Sequence, residues 1–345
     1  MNELGVVVIG AGDMGSRHAT NWIEAGARLI GVYDPDQNRA RRVAGRFEAE
    51  AFTATEVFLG RSDVHIVSVC TPTHLHATYT VESLDAGKHV LCEKPAALTL
   101  PDALRMKEAA LRNGRELRIG FMRRFDPASH QLMAFRQKIG DPVMAQTTLA
   151  AGVRPKLLMH DAAANGGPII DMCCHIFDQW AALFGEQPDT VRAHGYTFSE
   201  NKIELASIQH KALDSAHITL TYPSGAVGHI HVSWGLPGGI KPLEYHTYMA
   251  PEGLITVDWP KQVTLMDASG TNHWKGRASD PWLTQISQFY RELLDGEPRH
   301  LATIDDGIEA LRTSLAVLES VAQGREVRPV EITGEMPSLV ERALG

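Results

Sequence analysis

A short apolar run, Val6-Val7-Val8-Ile9, leads directly into Gly10-Ala11-Gly12-Asp13-Met14-Gly15. The run has the continuous apolar character of a strand buried on both faces. The turn has the spacing GxGxxG, and a helical stretch from about Met14 to Ala25 follows, stopping at Gly26. Strand, glycine turn and helix in this order restrict the start of the chain to one kind of β–α unit. Gly10 permits the tight turn, Gly12 lets the backbone approach a pyrophosphate, and Gly15 lets the helix pack close to the strand. The helix N-terminus then offers N–H groups and the positive end of its dipole to phosphate oxygens. Asp34 ends a second strand, Arg28 to Asp34, about where a carboxylate would meet an adenosine ribose. It can accept from both ribose hydroxyls and would repel the extra phosphate of NADP, so NAD is expected over NADP. Arg39, close by, is the argument for NADP. A glycine turn with no ligand is the bland alternative.

The same alternation continues. Asp36 to Phe47 reads as a helix, Val64 to Cys70 as a buried strand, His74 to Ala86 as a helix closed by Gly87, and His89 to Cys92 as a strand. Pro101 to Asn113 is a helix and Leu117 to Phe121 a strand. Repeated β–α order predicts a doubly wound parallel sheet of Rossmann type. Beyond about Phe125 the texture changes. One marked helix begins near Pro168, and extended stretches follow at Val143–Val153, Thr190–Phe198, Ser215–Tyr222, Ala226–Trp234, Lys241–Met249 and Leu254–Asp258. His229-Ile230-His231-Val232-Ser233-Trp234 alternates polar and apolar, as in a sheet with one covered face. The fold class is therefore α/β, with an N-terminal Rossmann domain over 1–122. An α+β C-terminal domain over 123–345 carries a large, mainly antiparallel open sheet. Two helices, near Trp282–Leu294 and Asp305–Ala322, close the chain.

With 345 residues, two domains are the natural division. The net charge of −8 argues against a general affinity for nucleic acid or anionic membrane. No apolar run approaches the roughly 20 residues of a membrane span. Met1-Asn2-Glu3-Leu4-Gly5 lacks the basic start and long apolar stretch of a signal peptide. Cys70, Cys92, Cys173 and Cys174 form no CxxC pair and are read as reduced thiols of a cytoplasmic protein.

Two further segments carry chemistry. Thr71-Pro72-Thr73-His74-Leu75-His76 and Glu93-Lys94-Pro95 both leave the carboxyl ends of strands, where open parallel sheets bind ligands. Pro95 restrains the backbone at Lys94 and so aims its side chain. The other segment is Gly166-Gly167-Pro168-Ile169-Ile170-Asp171-Met172-Cys173-Cys174-His175-Ile176-Phe177-Asp178. On one ideal helix Asp171, His175 and Asp178 fall within a sector of roughly 60°, apart from the apolar stripe Met172, Ile176, Trp180 and Leu183. This is either a solvated Asp–His pair or an acid–imidazole face turned to a cleft. A metal site built from Asp171, Cys173, Cys174 and His175 is disfavoured, because the cysteines point to different sides and no second Cys/His cluster is visible.

The glycine turn, the Thr71-Pro72…His76 segment and Glu93-Lys94-Pro95 together resemble the glucose-fructose oxidoreductase/inositol dehydrogenase/MocA family, abbreviated Gfo/Idh/MocA. The likeness spans nearly the whole chain, and Asp171 and His175 match that family's glycine-led Asp-x-x-x-His. Cys173 stands where the family often has glycine, which leaves the substrate less defined than the reaction.

The resemblance implies an oxidoreductase that moves a hydride between a nicotinamide cofactor and a hydroxyl or carbonyl carbon of a sugar, inositol or related polyol. Lys94 would lie between nicotinamide and substrate and hold the substrate oxygen. His175 would be the acid/base and Asp171 its orienter. The expected cofactor contacts are Gly10, Gly12, Asp13, Met14, Asp34, Thr71, Pro72, His76, Glu93 and Lys94. The expected substrate contacts are Lys94, Arg154, Asp171 and His175, with Lys156 and His160 as candidates for hydroxyl contacts. No metal is expected. A homodimer or homotetramer is expected, and the face shared by His229 and His231 is either a substrate wall or a subunit contact. Two alternatives stay open: an NAD-dependent glycosidase that oxidises its sugar transiently and eliminates the aglycone, or a cofactor-binding protein without chemistry.

Overall fold

The computed structural model describes residues 3–276 and 278–333. Met1, Asn2, Arg277 and the tail from residue 334, which the expected second domain includes, lie outside the described residues. The chain divides into two compact units. The first comprises residues up to 125 together with 280–308; the second comprises 126–279 together with the residues from 309.

The first unit begins with β1 (Gly5–Ile9), α1 (Asp13–Glu24), β2 (Arg28–Tyr33), α2 (Gln37–Ala44), β3 (Glu50–Phe52), α3 (Thr55–Leu59), β4 (Ile66–Val69), α4 (His76–Asp85), β5 (His89–Cys92), α5 (Leu100–Asn113) and β6 (Leu117–Ile119). The strands pair in parallel in the order β6-β5-β4-β1-β2-β3. The order reverses between β1 and β4, which opens a crevice at their carboxyl ends. β1 is apolar and buried throughout, as a central strand covered on both faces must be. α5 starts where Thr99 Oγ1 accepts the Asp102 N–H at 3.3 Å and Pro101 occupies the first turn.

The second unit runs through α6 (Pro127–Ile139), β7 (Met144–Gly152), α7 (Gly167–Asp171), α8 (Cys173–Phe184), β8 (Thr190–Tyr196), β9 (Ser215–Thr221), β10 (Val227–Leu236), β11 (Leu243–Ala250), β12 (Gly253–Asp258), β13 (Gln262–Asp267) and β14 (Gly270–Lys275). The sheet order is β14-β13-β12-β11-β7-β10-β9-β8, antiparallel except for the parallel pair β7–β10. One face buries Ile218, Leu220, Ile230, Tyr248, Ile255, Val257, Val263 and Leu265. Trp180 of α8 lies so close to β10 that a Cβ on Gly228 would sit 2.1 Å from its ring. The other face carries the aligned row His194, His217, His231, Thr148 and Tyr245.

The chain then returns to the first unit through α9 (Pro281–Asp295) and β15 (Ala302–Thr303), before α10 (Ile304–Gln323) crosses the division. A single cut after residue 122 does not describe this return. Its cause is burial: Ile286, Phe289 and Tyr290 of α9 share one apolar cluster with Val6, Val8 and Trp22. Phe289 and Tyr290 meet the Trp22 ring edge-on at 6.3 and 6.5 Å. Tyr290 Oη donates to Gly26 O at 2.8 Å, and β15 pairs antiparallel with β6. The expected single helix from Pro168 is also corrected. Met172 N–H still reaches Pro168 O at 3.0 Å, but His175 N–H reaches Met172 O at 3.2 Å, one residue short of the α-helical partner. The helix is thus broken at Met172, and the ideal-helix angle between Asp171 and His175 does not apply.

Candidate functional site

The glycine turn closes over the ends of β1 and β4. A Cβ on Gly10, whose φ is +97°, would meet Cys70 O at 2.6 Å, and one on Gly15 would fall 1.7 Å from Gly10 O. Gly12 differs: a Cβ there meets nothing within 4 Å, so the space beside the turn is open. Gly12 is the N-cap of α1 and offers no side-chain acceptor; Asp13 stands exposed and Met14 half-buried in the first turn. Asp34 anchors the turn, its Oδ2 accepting the Ala11 N–H and its Oδ1 the Asp36 N–H, both at 2.8 Å. Arg39 pairs with Asp36 at 3.2 Å on the exposed surface, so the residue that argued for NADP already has an acidic partner. Open space at Gly12, the start of α1 and a carboxylate held on its backbone side fit a dinucleotide.

The Glu-Lys-Pro loop is built from beneath. His18, on the buried face of α1, is fully buried. Its Nδ1 bonds Ser68 Oγ at 2.8 Å and its Nε2 bonds Glu93 Oε1 at 2.9 Å. Burial alone would lower the His18 pKa, but Cys70 and Glu93 outweigh it through charge and hydrogen bonds, and the pKa is raised to about 10. For Glu93, burial opposes ionisation, but hydrogen bonding and charge from His18 prevail and hold its pKa below the usual carboxylate range. The pair is therefore imidazolium and carboxylate at neutral pH. The other Glu93 oxygen accepts the Lys94 N–H at 3.3 Å, and Lys94 itself is half-buried. The Lys94–Pro95 bond is cis.

His76 joins the two loops at this edge. Its Nδ1 lies 2.8 Å from Pro95 O and its Nε2 lies 3.0 Å from Thr71 O. Burial lowers its pKa, so the neutral ring donates to one carbonyl and only the protonated ring donates to both. Pro72, between them, is exposed. The first unit thus gathers Gly10, Gly12, Asp34, Thr71, His76, Glu93 and Lys94 on the strand ends that border the crevice. His18 and Ser68 escaped the sequence reading. The signal for His18 was its place beside Ala19 and Trp22 on the apolar stripe of α1, where an imidazole needs partners.

In the second unit, Asp171 ends α7 and His175 lies in the first turn of α8; both are buried, as are Cys173, Cys174 and Asp178. Cys174 Sγ donates to Asp171 O at 3.1 Å across the break. Arg154 follows β7, and its backbone N–H donates to His160 Nε2 at 2.9 Å. His160 is buried and Lys156 exposed.

A doubly wound sheet whose glycine turn, acidic strand end and lysine loop share the carboxyl edge defines the class: a dinucleotide-dependent oxidoreductase. Residues 4–121 match the family model described as oxidoreductase family, NAD-binding Rossmann fold, and residues 131–248 match the GFO/IDH/MocA C-terminal domain. The chain belongs to the Gfo/Idh/MocA family of NAD-binding oxidoreductases. It is 36% identical to an inositol 2-dehydrogenase of Acidothermus cellulolyticus over 90% of this chain and 93% of that one. It is 29% identical to a myo-inositol 2-dehydrogenase of Thermotoga maritima over 95% and 99%. Among solved structures, UDP-N-acetylglucosamine 3-dehydrogenase from Acidithiobacillus ferrooxidans aligns with a TM-score of 0.80 at 25% identity, over 94% of this chain and 99% of that one. Among the described residues, no helix is long and apolar enough to cross a membrane.

Proposed function

We propose that the chain transfers a hydride between NAD and a hydroxyl-bearing carbon of a sugar, inositol or related polyol, in the cytoplasm. The observation that carries this reading is the build of the Glu-Lys-Pro loop. A lysine that merely faced water would not need a buried carboxylate–imidazole pair beneath its backbone. The names of the relatives, two inositol 2-dehydrogenases and a UDP-sugar dehydrogenase, support a polyol or sugar substrate.

When bound, NAD supplies the hydride-accepting ring. Gly10, Gly12, Asp13 and Met14 would hold the pyrophosphate at the start of α1, and Asp34 the ribose diol. Thr71, Pro72, His76 and Glu93 shape the edge beside it. The Lys94 ammonium holds the substrate oxygen and favours its alkoxide form. His175 accepts the hydroxyl proton at a ring nitrogen and returns it in the reverse direction, the two roles an imidazole can fill. Asp171 orients that ring or takes an adjacent hydroxyl, and Arg154 contributes to substrate binding.

The test is NADH formation with NAD and a panel of inositols, polyols and pyranoses. His175→Asn lowers kcat by about 10²- to 10⁴-fold without changing the Kd for NAD. No turnover in either direction would overturn the reading. Release of an aglycone without net NADH would replace it with an eliminating glycosidase. NAD binding with no reaction would make the chain a silent binder. We also propose a homodimer or homotetramer. The outward face of the second sheet supports it, exposing Met144, Tyr196, Leu243, Tyr245 and Met249. A single-chain mass by light scattering at micromolar concentration would remove that assignment.

A further inference from the structure

In the second unit, Arg154, His160 and Trp234 form a cluster with unmet hydrogen-bond donors. The Arg154 guanidinium carbon lies over the Trp234 ring, 5.5 Å from its centroid. His160 meets the same ring edge-on at 6.3 Å. The Arg154 side chain has no carboxylate partner among the described residues, and its Nε is buried without an acceptor. Other half-buried arginines of this chain are paired: Arg118 with Glu292 and Glu116, Arg136 with Asp141, Arg312 with Glu309. Asp214 acts on His160 electrostatically, but its oxygens already accept from Phe198 N at 2.9 Å, Ser199 N at 2.8 Å, Ser215 Oγ at 2.7 Å and Ser199 Oγ. It is not available to Arg154.

His160 supplies a second, independent observation. Its Nε2 accepts the Arg154 N–H, so the neutral ring carries its hydrogen on Nδ1. Burial lowers its pKa and keeps it neutral. That Nδ1–H is buried without an acceptor, in a residue only 2% exposed. A buried donor left unmet is destabilising, so a ligand acceptor there is favoured. A guanidinium held over an aromatic ring keeps the fork of N–H donors that matches a carboxylate or phosphate. The cluster is also close to the proposed chemistry, because the turn Leu157–His160 packs against α7, which ends in Asp171, and α7 packs against β10, which carries Trp234.

We infer that Arg154, held over Trp234 and tied to His160, binds an oxyanion of the substrate, a carboxylate or phosphate carried on the polyol frame. This inference rests on the reading that Asp171 and His175 face the substrate. It makes the preferred substrate an acidic sugar rather than a neutral one.

Equilibrium binding of glucose, glucuronate and glucose 6-phosphate to the full chain, by calorimetry with NAD present, tests it. One charged probe binds roughly 10- to 100-fold more tightly than glucose, the worth of hydrogen bonds to a charged group. Whichever probe shows the gain identifies the oxyanion. Arg154→Met brings the charged-to-neutral ratio to about one, and Arg154→Lys recovers part of it, with melting curves reporting that both variants fold. A ratio unchanged in Arg154→Met, or no charged probe favoured by wild type, overturns the inference. Turnover of neutral polyols that depends on His175, in a wild type that favours no charged probe, sinks this inference alone. An Arg154-dependent ratio in an enzyme indifferent to His175→Asn sinks the proposed chemistry instead.

Discussion

Replacing Glu93 with glutamine removes one charge from the buried pair and leaves its shape. His18 is raised from 6.5 to about 10 despite its burial, because Cys70 and Glu93 favour the charged ring. About three and a half pH units, at roughly 1.36 kcal/mol each, correspond to about 5 kcal/mol of folding free energy. Because the folded-state pKa is the higher one, this contribution is complete below pH 6.5. It declines by about 1.4 kcal/mol per pH unit above that and is gone once pH passes about 10. Glu93 has its folded-state pKa lowered, so its contribution is present above its ordinary value of 4.5 and is lost as pH falls through the lowered one. The His18 shift is shared between Cys70 and Glu93, so Glu93→Gln removes only part of it, and the Glu93 shift describes the same His18–Glu93 contact and is not added; the pair is strongest between about pH 4.5 and 6.5. Breaking a buried pair by removing one partner costs about 3–5 kcal/mol. For a unit of this size that is on the order of 10 °C in melting temperature. Melting of wild type and Glu93→Gln by circular dichroism at pH 6.5, 8.0 and 9.5 reads the difference. The gap narrows steadily, to about 1 kcal/mol or less at pH 9.5. A gap that is constant, or that widens as pH rises, would refute an imidazolium–carboxylate pair under the lysine loop.

The glycine turn separates two roles cleanly. Gly12→Ala adds a methyl into open space, so melting without NAD shifts by less than about 2 °C while the Kd for NAD rises about tenfold or more. Gly15→Ala puts Cβ against Gly10 O, so the first unit loses about 1–3 kcal/mol or more, read as a lower melting temperature. Equal effects of the two on either measurement would refute the division. In the second unit, Gly228→Ala drives a methyl into the Trp180 ring and costs about 1–3 kcal/mol; a wild-type urea midpoint would show that α8 does not pack on β10 as described.

The sequence by itself determined what depends on neighbours along the chain. The strand, glycine turn and helix at 5–24 are one short segment whose geometry makes the phosphate-binding end. Asp34 follows at the close of the next strand. Period-two alternation foretold the one-sided sheet of the second unit, since each strand writes its own covered face. Tertiary structure decided whatever joins distant segments. Whether an imidazole on an apolar stripe finds a carboxylate 75 residues away depends on how α1 lies against the ends of β4 and β5. Residues 280–308 read as the close of a second domain, yet the apolar face of α9 finds its partner in Trp22. Asp171 and His175 share a spacing, but one tightened turn at Met172 sets their mutual angle. Trp234 lies 80 residues beyond the arginine it supports, and nothing near Arg154 in the chain foretells it. Local periodicity records which side of an element is apolar; which other element covers that side is settled by the packing energy of the whole unit.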